Sequence, residues 1–137
     1  MSDVTQKPRR EFRNIEFDKI TRAYKLPLPA ILSILHRVSG VLIFLSLPIL
    51  IHLFRNSLAG PVMFNSLATG FSGFLIRVVC IVALWGFMHH LCAGIRFLIL
   101  DLHIGMDKVS ANKSAKIVFI VSLALTVIFA IKLFGVL

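Results

Sequence analysis

Two histidines, His89 and His90, stand side by side inside an otherwise apolar run, WGFMHHLCAGIRFLILD, residues 85 to 101. Neutral imidazole is a common ligand of haem iron, and an ionisable group within a membrane-length apolar segment is a functional-site candidate by default. On a helical wheel Gly86, His90, Gly94, Phe97 and Asp101 fall on one stripe, so His90 has a glycine one turn before it and one turn after. Glycines there would let a flat macrocycle approach the helix; they would equally let a neighbouring helix pack closely. His89 points about 100° away, on a second stripe with Arg96 and His103 that no glycine clears. His90 is therefore assigned as a haem-iron ligand, and His89 as a neighbour that hydrogen-bonds within a helical bundle. His52 and His103 lie near segment ends and read as interfacial side chains.

A second polar group precedes a long apolar stretch, in SILHRVSG, residues 33 to 40. Ser33, His36, Arg37 and Gly40 are spaced i, i+3, i+4, i+7 and share one helical stripe. Such a face belongs against protein, water or a ligand rather than lipid. Arg37 alone could be an anchor that snorkels to the interface, but its serine and histidine companions favour a polar site with a common target. Counted from Ala30, His36 lies roughly 9 Å into the segment, against roughly 15 Å for His90 counted back from Leu100. The shallower height suits a haem edge, where propionates sit, better than the iron. By this count no second histidine faces His90 from an opposing helix, so a six-coordinate haem would take its other ligand from another chain.

These residues must be carried by membrane helices. The chain has 137 residues, 58% of them hydrophobic, and a mean hydropathy of +0.91, which points to an integral membrane protein. Three segments, 29–54, 72–100 and 115–137, are each long enough to cross a hydrocarbon core of about 30 Å. Pro48 falls within the first and is expected to bend it. The expected fold is an all-α three-span membrane domain over 29–137, part of a hetero-oligomeric bundle, preceded by an N-terminal arm over 1–28.

Charge gives the orientation. The net charge of +9 comes from 15 Lys and Arg against 6 Asp and Glu, and the basic residues crowd into the arm and the second loop. Lys7, Arg9, Arg10, Arg13, Lys19, Arg22 and Lys25 precede the first span; Lys108, Lys113 and Lys116 flank the opening of the third. The loop after Arg55 is uncharged as far as the second span. The positive-inside rule then makes the N-terminus and second loop cytoplasmic. No nucleic-acid module is visible, so the basic surplus is not read as nucleic-acid binding. The apolar residues of the arm, among them Phe12, Phe17 and Tyr24, suit either a disordered tail or a piece packing on a cytoplasmic partner. Cys80 and Cys92 form no CxxC pair or iron–sulfur run and read as buried thiols. The first thirty residues hold no apolar core of a cleaved signal peptide.

SILHRVSG on the first helix and HxxxGIRxLxxD on the second resemble motifs of the cytochrome b membrane-anchor subunits of succinate dehydrogenase, respiratory complex II, in its C-type form. The resemblance runs from about Leu26 into the third helix, including KSAK at residues 113 to 116. It implies haem b held by His90 and by a second ligand from a companion small anchor subunit. It implies that Ser33 and Arg37 line a ubiquinone site beside an iron–sulfur subunit, that His36 and Arg37 lie near the haem propionates, and that Asp101 has a supporting role. A flavoprotein subunit would oxidise succinate and pass electrons through iron–sulfur clusters to the quinone, in a bacterial inner membrane rather than a mitochondrial one. This chain, with no dinucleotide fingerprint or cluster-forming cysteines, would contribute the quinone-reduction site without being the dehydrogenase. The family's motif often reads GIRH, whereas Phe97 follows Arg96 here. A competing reading is a non-redox membrane adaptor whose polar residues serve only helix packing; three spans without an inverted repeat disfavour a transporter.

Overall fold

The computed structural model describes residues 25–62, 65 and 69–134, so most of the arm expected over 1–28 and the last residues of the third span lie outside the described residues. Among the described residues three long helices make the architecture: α1 Leu28–Leu58, α2 Gly70–Asp101 and α3 Lys108–Phe134. Each contains an apolar stretch long enough to cross a bilayer, so the protein is a multi-pass, all-α membrane protein.

Local chemistry sets the helix ends. Pro27 stands extended (φ −65°, ψ 150°) before α1, and its carbonyl accepts from the amides of Ala30 at 2.9 Å and Ile31 at 3.2 Å. Arg55 lies in the last turn of α1, where a cation meets the negative end of the helix dipole. The helix runs through Pro48 without a break. At the end of α2 the Leu102 and His103 amides close onto Ile99 and Leu100 carbonyls at 3.2 and 2.8 Å. His103 then turns left-handed (φ 61°), followed by Gly105 (φ 72°). Asp107 restarts the chain as a helix, its Oδ2 accepting the Ser110 amide at 2.9 Å. α3 consequently begins at Lys108, seven residues before the start expected from the apolar run at 115. Hydropathy registers only the apolar part of a helix whose first turns, Lys108 to Ser114, are polar and capped.

α2 packs against both other helices, while α1 and α3 touch over a shorter stretch. Both packings are antiparallel: Gly86 meets Ser39 and Ile43 of α1 whereas Gly94 meets His36, and His89 meets Ser122 of α3 whereas Arg96 meets Ser114. Few side chains are fully buried. Leu32, Ala93, Ala115 and Val118 form a small core to which all three helices contribute, with Leu28, Cys92, Phe97 and Phe119 packed around it. Small residues dominate the buried set, as expected where helices associate by close approach rather than by expelling water. Buried hydroxyls are satisfied within their own helices: Ser46 donates to Ile43 O at 2.7 Å and Thr126 to Ser122 O at 2.7 Å.

Candidate functional site

The two stripes of α2 face two different helices. Toward α1 point Gly86, His90, Gly94 and Phe97; toward α3 point His89 and Arg96. A Cβ on Gly86 would lie 3.6 Å from the Ser39 carbonyl oxygen and from Ile43, and one on Gly94 would lie 3.6 Å from His36 Nε2. Both glycines thus bring α1 and α2 together. Gly40, on the opposite wall, has a sharper demand: a Cβ there would come within 3.0 Å of His90 Cε1. The α1 glycine, rather than the pair flanking His90 on its own helix, makes room for the imidazole.

His90 is half-buried, its ring stacked on that of His36 with centroids 4.1 Å apart and planes 15° apart. This corrects the expectation that no histidine stands opposite His90. A height counted from each span's own end assumes that the two ends lie level, whereas the contact between α1 and α2 offsets the ends and brings the two rings together. Phe97, where the related motif often has histidine, packs tilted against His36, centroids 5.1 Å apart.

His90 Nδ1 lies 3.0 Å from the His36 carbonyl oxygen and 3.3 Å from Ser39 Oγ. A carbonyl only accepts, so Nδ1 carries the proton and Nε2 keeps its lone pair. The buried Ser39 hydroxyl donates to the same carbonyl at 2.8 Å and offers its oxygen to Nδ1–H. Nε2 makes no hydrogen bond among the described residues. Ser39 is a site residue that the sequence reading missed, because its stripe began at Ser33 and passed over it.

His89 is fully enclosed. It stacks on Trp85 at 5.5 Å, lies tilted against Phe119 at 5.6 Å, and its Nδ1 is 3.4 Å from Ser122 Oγ. Its Nε2 is buried without a partner. The hydrogen-bonding role within the bundle expected of His89 matches this contact.

The SILHRVSG face divides. His36 and Gly40 turn to His90, Ser33 is half-buried, and Arg37 is exposed. A stripe with this spacing is about 100° wide. The contact direction, marked by Leu32, Ser39 and Ile43, falls beyond its His36 edge and leaves Ser33 and Arg37 on the other side. The four residues do not all share one contact. Asp101 is exposed at the end of α2, as are His52 and His103. Among the described residues no cluster of three or more His, Cys, Asp or Glu gathers to hold a bare metal ion. An axial ligand makes a different demand, one imidazole lone pair, and His90 Nε2 makes no hydrogen bond among the described residues, as His89 Nε2 also makes none but is enclosed. The ring stacked on its face does not block that lone pair, which points out of the ring edge.

Fold and site together define a three-span membrane protein whose first two helices bring His36 and His90 into contact. The chain matches the succinate dehydrogenase/fumarate reductase transmembrane subunit family over residues 12–129, and it belongs to that family. It is 32% identical over 106 residues to the succinate dehydrogenase cytochrome b556 subunit of Rickettsia felis, covering 77% of this chain and 82% of that one. The protein of the same name from Coxiella burnetii is 35% identical over 101 residues (72% and 80% covered). That from Paracoccus denitrificans is 29% identical over 116 residues (82% and 87%). The chain is accordingly a cytochrome b-type membrane-anchor subunit of a succinate dehydrogenase complex.

Proposed function

We propose that this anchor binds haem b through His90 Nε2, together with a ligand from a second small anchor subunit, and helps to form the site at which ubiquinone is reduced. The observation that carries the haem reading is the bond from His90 Nδ1–H to the His36 carbonyl at 3.0 Å, reinforced by Ser39. It fixes the tautomer that leaves Nε2 as the ligating atom, and hydrogen bonds of this kind orient metal-bound histidines. Haem would supply one-electron chemistry; this chain's own contribution is to hold one imidazole in a fixed orientation within the bilayer.

Ser33 and Arg37 are proposed as the quinone-facing residues. Arg37 is exposed on the α1 edge turned away from His90, which leaves it open to a neighbouring subunit and to a quinone head group between them. The Ser33 hydroxyl can donate to a quinone carbonyl oxygen, and the Arg37 guanidinium favours the negative charge that arrives with electrons. His36, in contact with His90 and 3.6 Å from a Cβ on Gly94, belongs to the haem side. The remaining partners are an iron–sulfur subunit and a flavoprotein that oxidises succinate. The N-terminus and the α2–α3 loop face the cytoplasm in a bacterial inner membrane, as the distribution of lysine and arginine favours.

The test uses the complex purified in mild detergent. A reduced-minus-oxidised spectrum is expected to contain a b-type α-band, and its absence refutes the haem claim. Ser33→Ala and Arg37→Ala should each cut succinate:quinone reductase activity at least tenfold while succinate oxidation by a soluble artificial acceptor persists. Equal loss of both activities removes the quinone assignment.

A further inference from the structure

The family's haem and quinone chemistry leaves Arg96 unused, yet it is the most deeply buried cation among the described residues, 6% exposed. Its Nε donates to Ser114 Oγ at 2.9 Å and its Nη2 to the Ala111 carbonyl at 3.2 Å. Both acceptors are neutral. Among the described residues no carboxylate pairs with it, and Nη1 makes no hydrogen bond. Nor is Nη1 sealed in: among the described residues the only enclosed polar side-chain atom without a partner is His89 Nε2. A guanidinium inside a membrane bundle is costly unless its charge is met; α3 accepts from Nε and Nη2 and the Phe97 ring lies 5.5 Å from Cζ, but none of these is a countercharge.

Beside it lies a cavity of about 420 Å³ between α2 and α3, within the size range of ligand pockets. Arg96, Ser110 and Ser114 supply its polar part; Ile95, Ile99, Ile117 and Val121 form apolar walls. These four side chains are each 41 to 52% exposed, so the cavity is a furrow open along the outer face of α2 and α3. Arg96 is five residues from the end of α2, roughly 7 Å along the axis, a depth from which its side chain reaches the interface. The exposed Lys108, Lys113 and Lys116 add positive charge at this end. The acids nearby are the exposed Asp101 and Asp107, the latter already accepting the Ser110 amide.

We propose that this furrow binds an anionic phospholipid, its phosphate paired with Arg96 and one acyl chain lying along Ile95, Ile99, Ile117 and Val121. A free anion would gain nothing from four aliphatic walls, and an uncharged lipid would leave the guanidinium uncompensated. Two packed helices with axes about 8–10 Å apart leave between them a groove that admits an acyl chain more deeply than another helix of about 10 Å diameter. Basic pockets between membrane helices are suited to anionic headgroups. The site lies on the α3 side of α2, away from His90, and stands independently of the haem and quinone assignments.

Delipidated complex in detergent tests it by thermal unfolding titrated with phosphatidylglycerol or phosphatidylcholine. Phosphatidylglycerol should raise the melting temperature saturably and phosphatidylcholine should not. Arg96→Gln should weaken the phosphatidylglycerol response roughly fivefold or more, the scale of one basic contact near a membrane surface, while Arg96→Lys retains part of it. Ile117→Trp fills the furrow with Arg96 in place and should abolish the response, which keeps the test valid if Arg96→Gln fails to assemble. Equal responses to both lipids, or an undiminished response in Ile117→Trp, overturns the proposal. So does a photocrosslinker at Ile99 that captures a partner polypeptide instead of lipid.

Discussion

α2 carries two adjacent histidines, and its two sides treat them in opposite ways. Toward α1, the absence of a side chain at Gly40 lets the His90 ring settle against α1, where the His36 carbonyl and Ser39 occupy Nδ1 and Nε2 stays available. Toward α3, bulky neighbours close around His89: Trp85 and Phe119 cover it, and Ser122 at 3.4 Å is its single side-chain hydrogen-bonding partner among the described residues. Its Nε2 is both enclosed and unpaired, a condition that costs about 1–3 kcal/mol. A histidine one position along the same helix is therefore a packing residue. Ligand competence depends on what the opposing helix leaves open, not on the imidazole itself.

The largest effect expected from this contrast is spectroscopic. His90→Ala should abolish the b-type α-band of the purified complex, while His89→Leu should leave the band in place and change stability little, since it removes an unpaired buried nitrogen along with one long hydrogen bond. The opposite pattern would exchange the roles of the two faces. A band that survives both substitutions would mean that neither histidine ligates the haem.

The sequence made this division legible because helical periodicity separates His89 from His90 by about 100°, and the structure sends those two stripes to α3 and α1. Three spans were equally legible, since runs of this length and apolarity have few other outcomes. Other features depend on quantities that a single helix does not encode. Whether Gly86 and Gly94 clear space for a cofactor or for α1 depends on where α1 lies, and both face it. The level of His36 against His90 depends on the relative sliding of two antiparallel helices. The roles of Ser39 and Gly40 follow from that register, so wheel positions alone could not reveal them.

A smaller effect tests the close approach. A Cβ on Gly40 would stand 3.0 Å from His90 Cε1, whereas one on Gly94 would stand at an ordinary 3.6 Å from His36 Nε2. Gly40→Ala must push the His90 ring by a few tenths of an ångström and strain its bonds to His36 and Ser39. Overpacking of this kind costs about 1–3 kcal/mol, and a lower melting temperature together with a shifted or weakened α-band is expected. Gly94→Ala should be tolerated on both readouts. Equal behaviour of the two variants would show that the α1–α2 interface is loose enough to absorb a methyl group anywhere, and the contrast with the α3 side would lose its basis.

The smallest effect concerns the α3 side. Asp107 accepts the Ser110 amide and so holds the first turn of α3, the part of the helix that presents Ala111 and Ser114 to Arg96. That amide holds the Asp107 carboxyl below the usual aspartate value of about 3.9. A depressed folded-state pKa means that the charged form is favoured by folding. Its contribution is present above about pH 3.9 and is lost as pH falls through that region and below. Amide exchange at Ser110 to Ser114 should then speed up on acidification toward pH 3.5, beyond the intrinsic pH dependence of exchange. Asp107→Ala should show the faster exchange already at neutral pH, and Asp107→Asn should restore much of the protection, because asparagine also caps helices well. In both variants the b-type band should stay unchanged at neutral pH, since nothing on the α1 side of α2 relies on this cap. Should the band move with Asp107→Ala, the two faces of α2 are mechanically coupled, and the independence of the packing toward α1 and toward α3 would have to be given up.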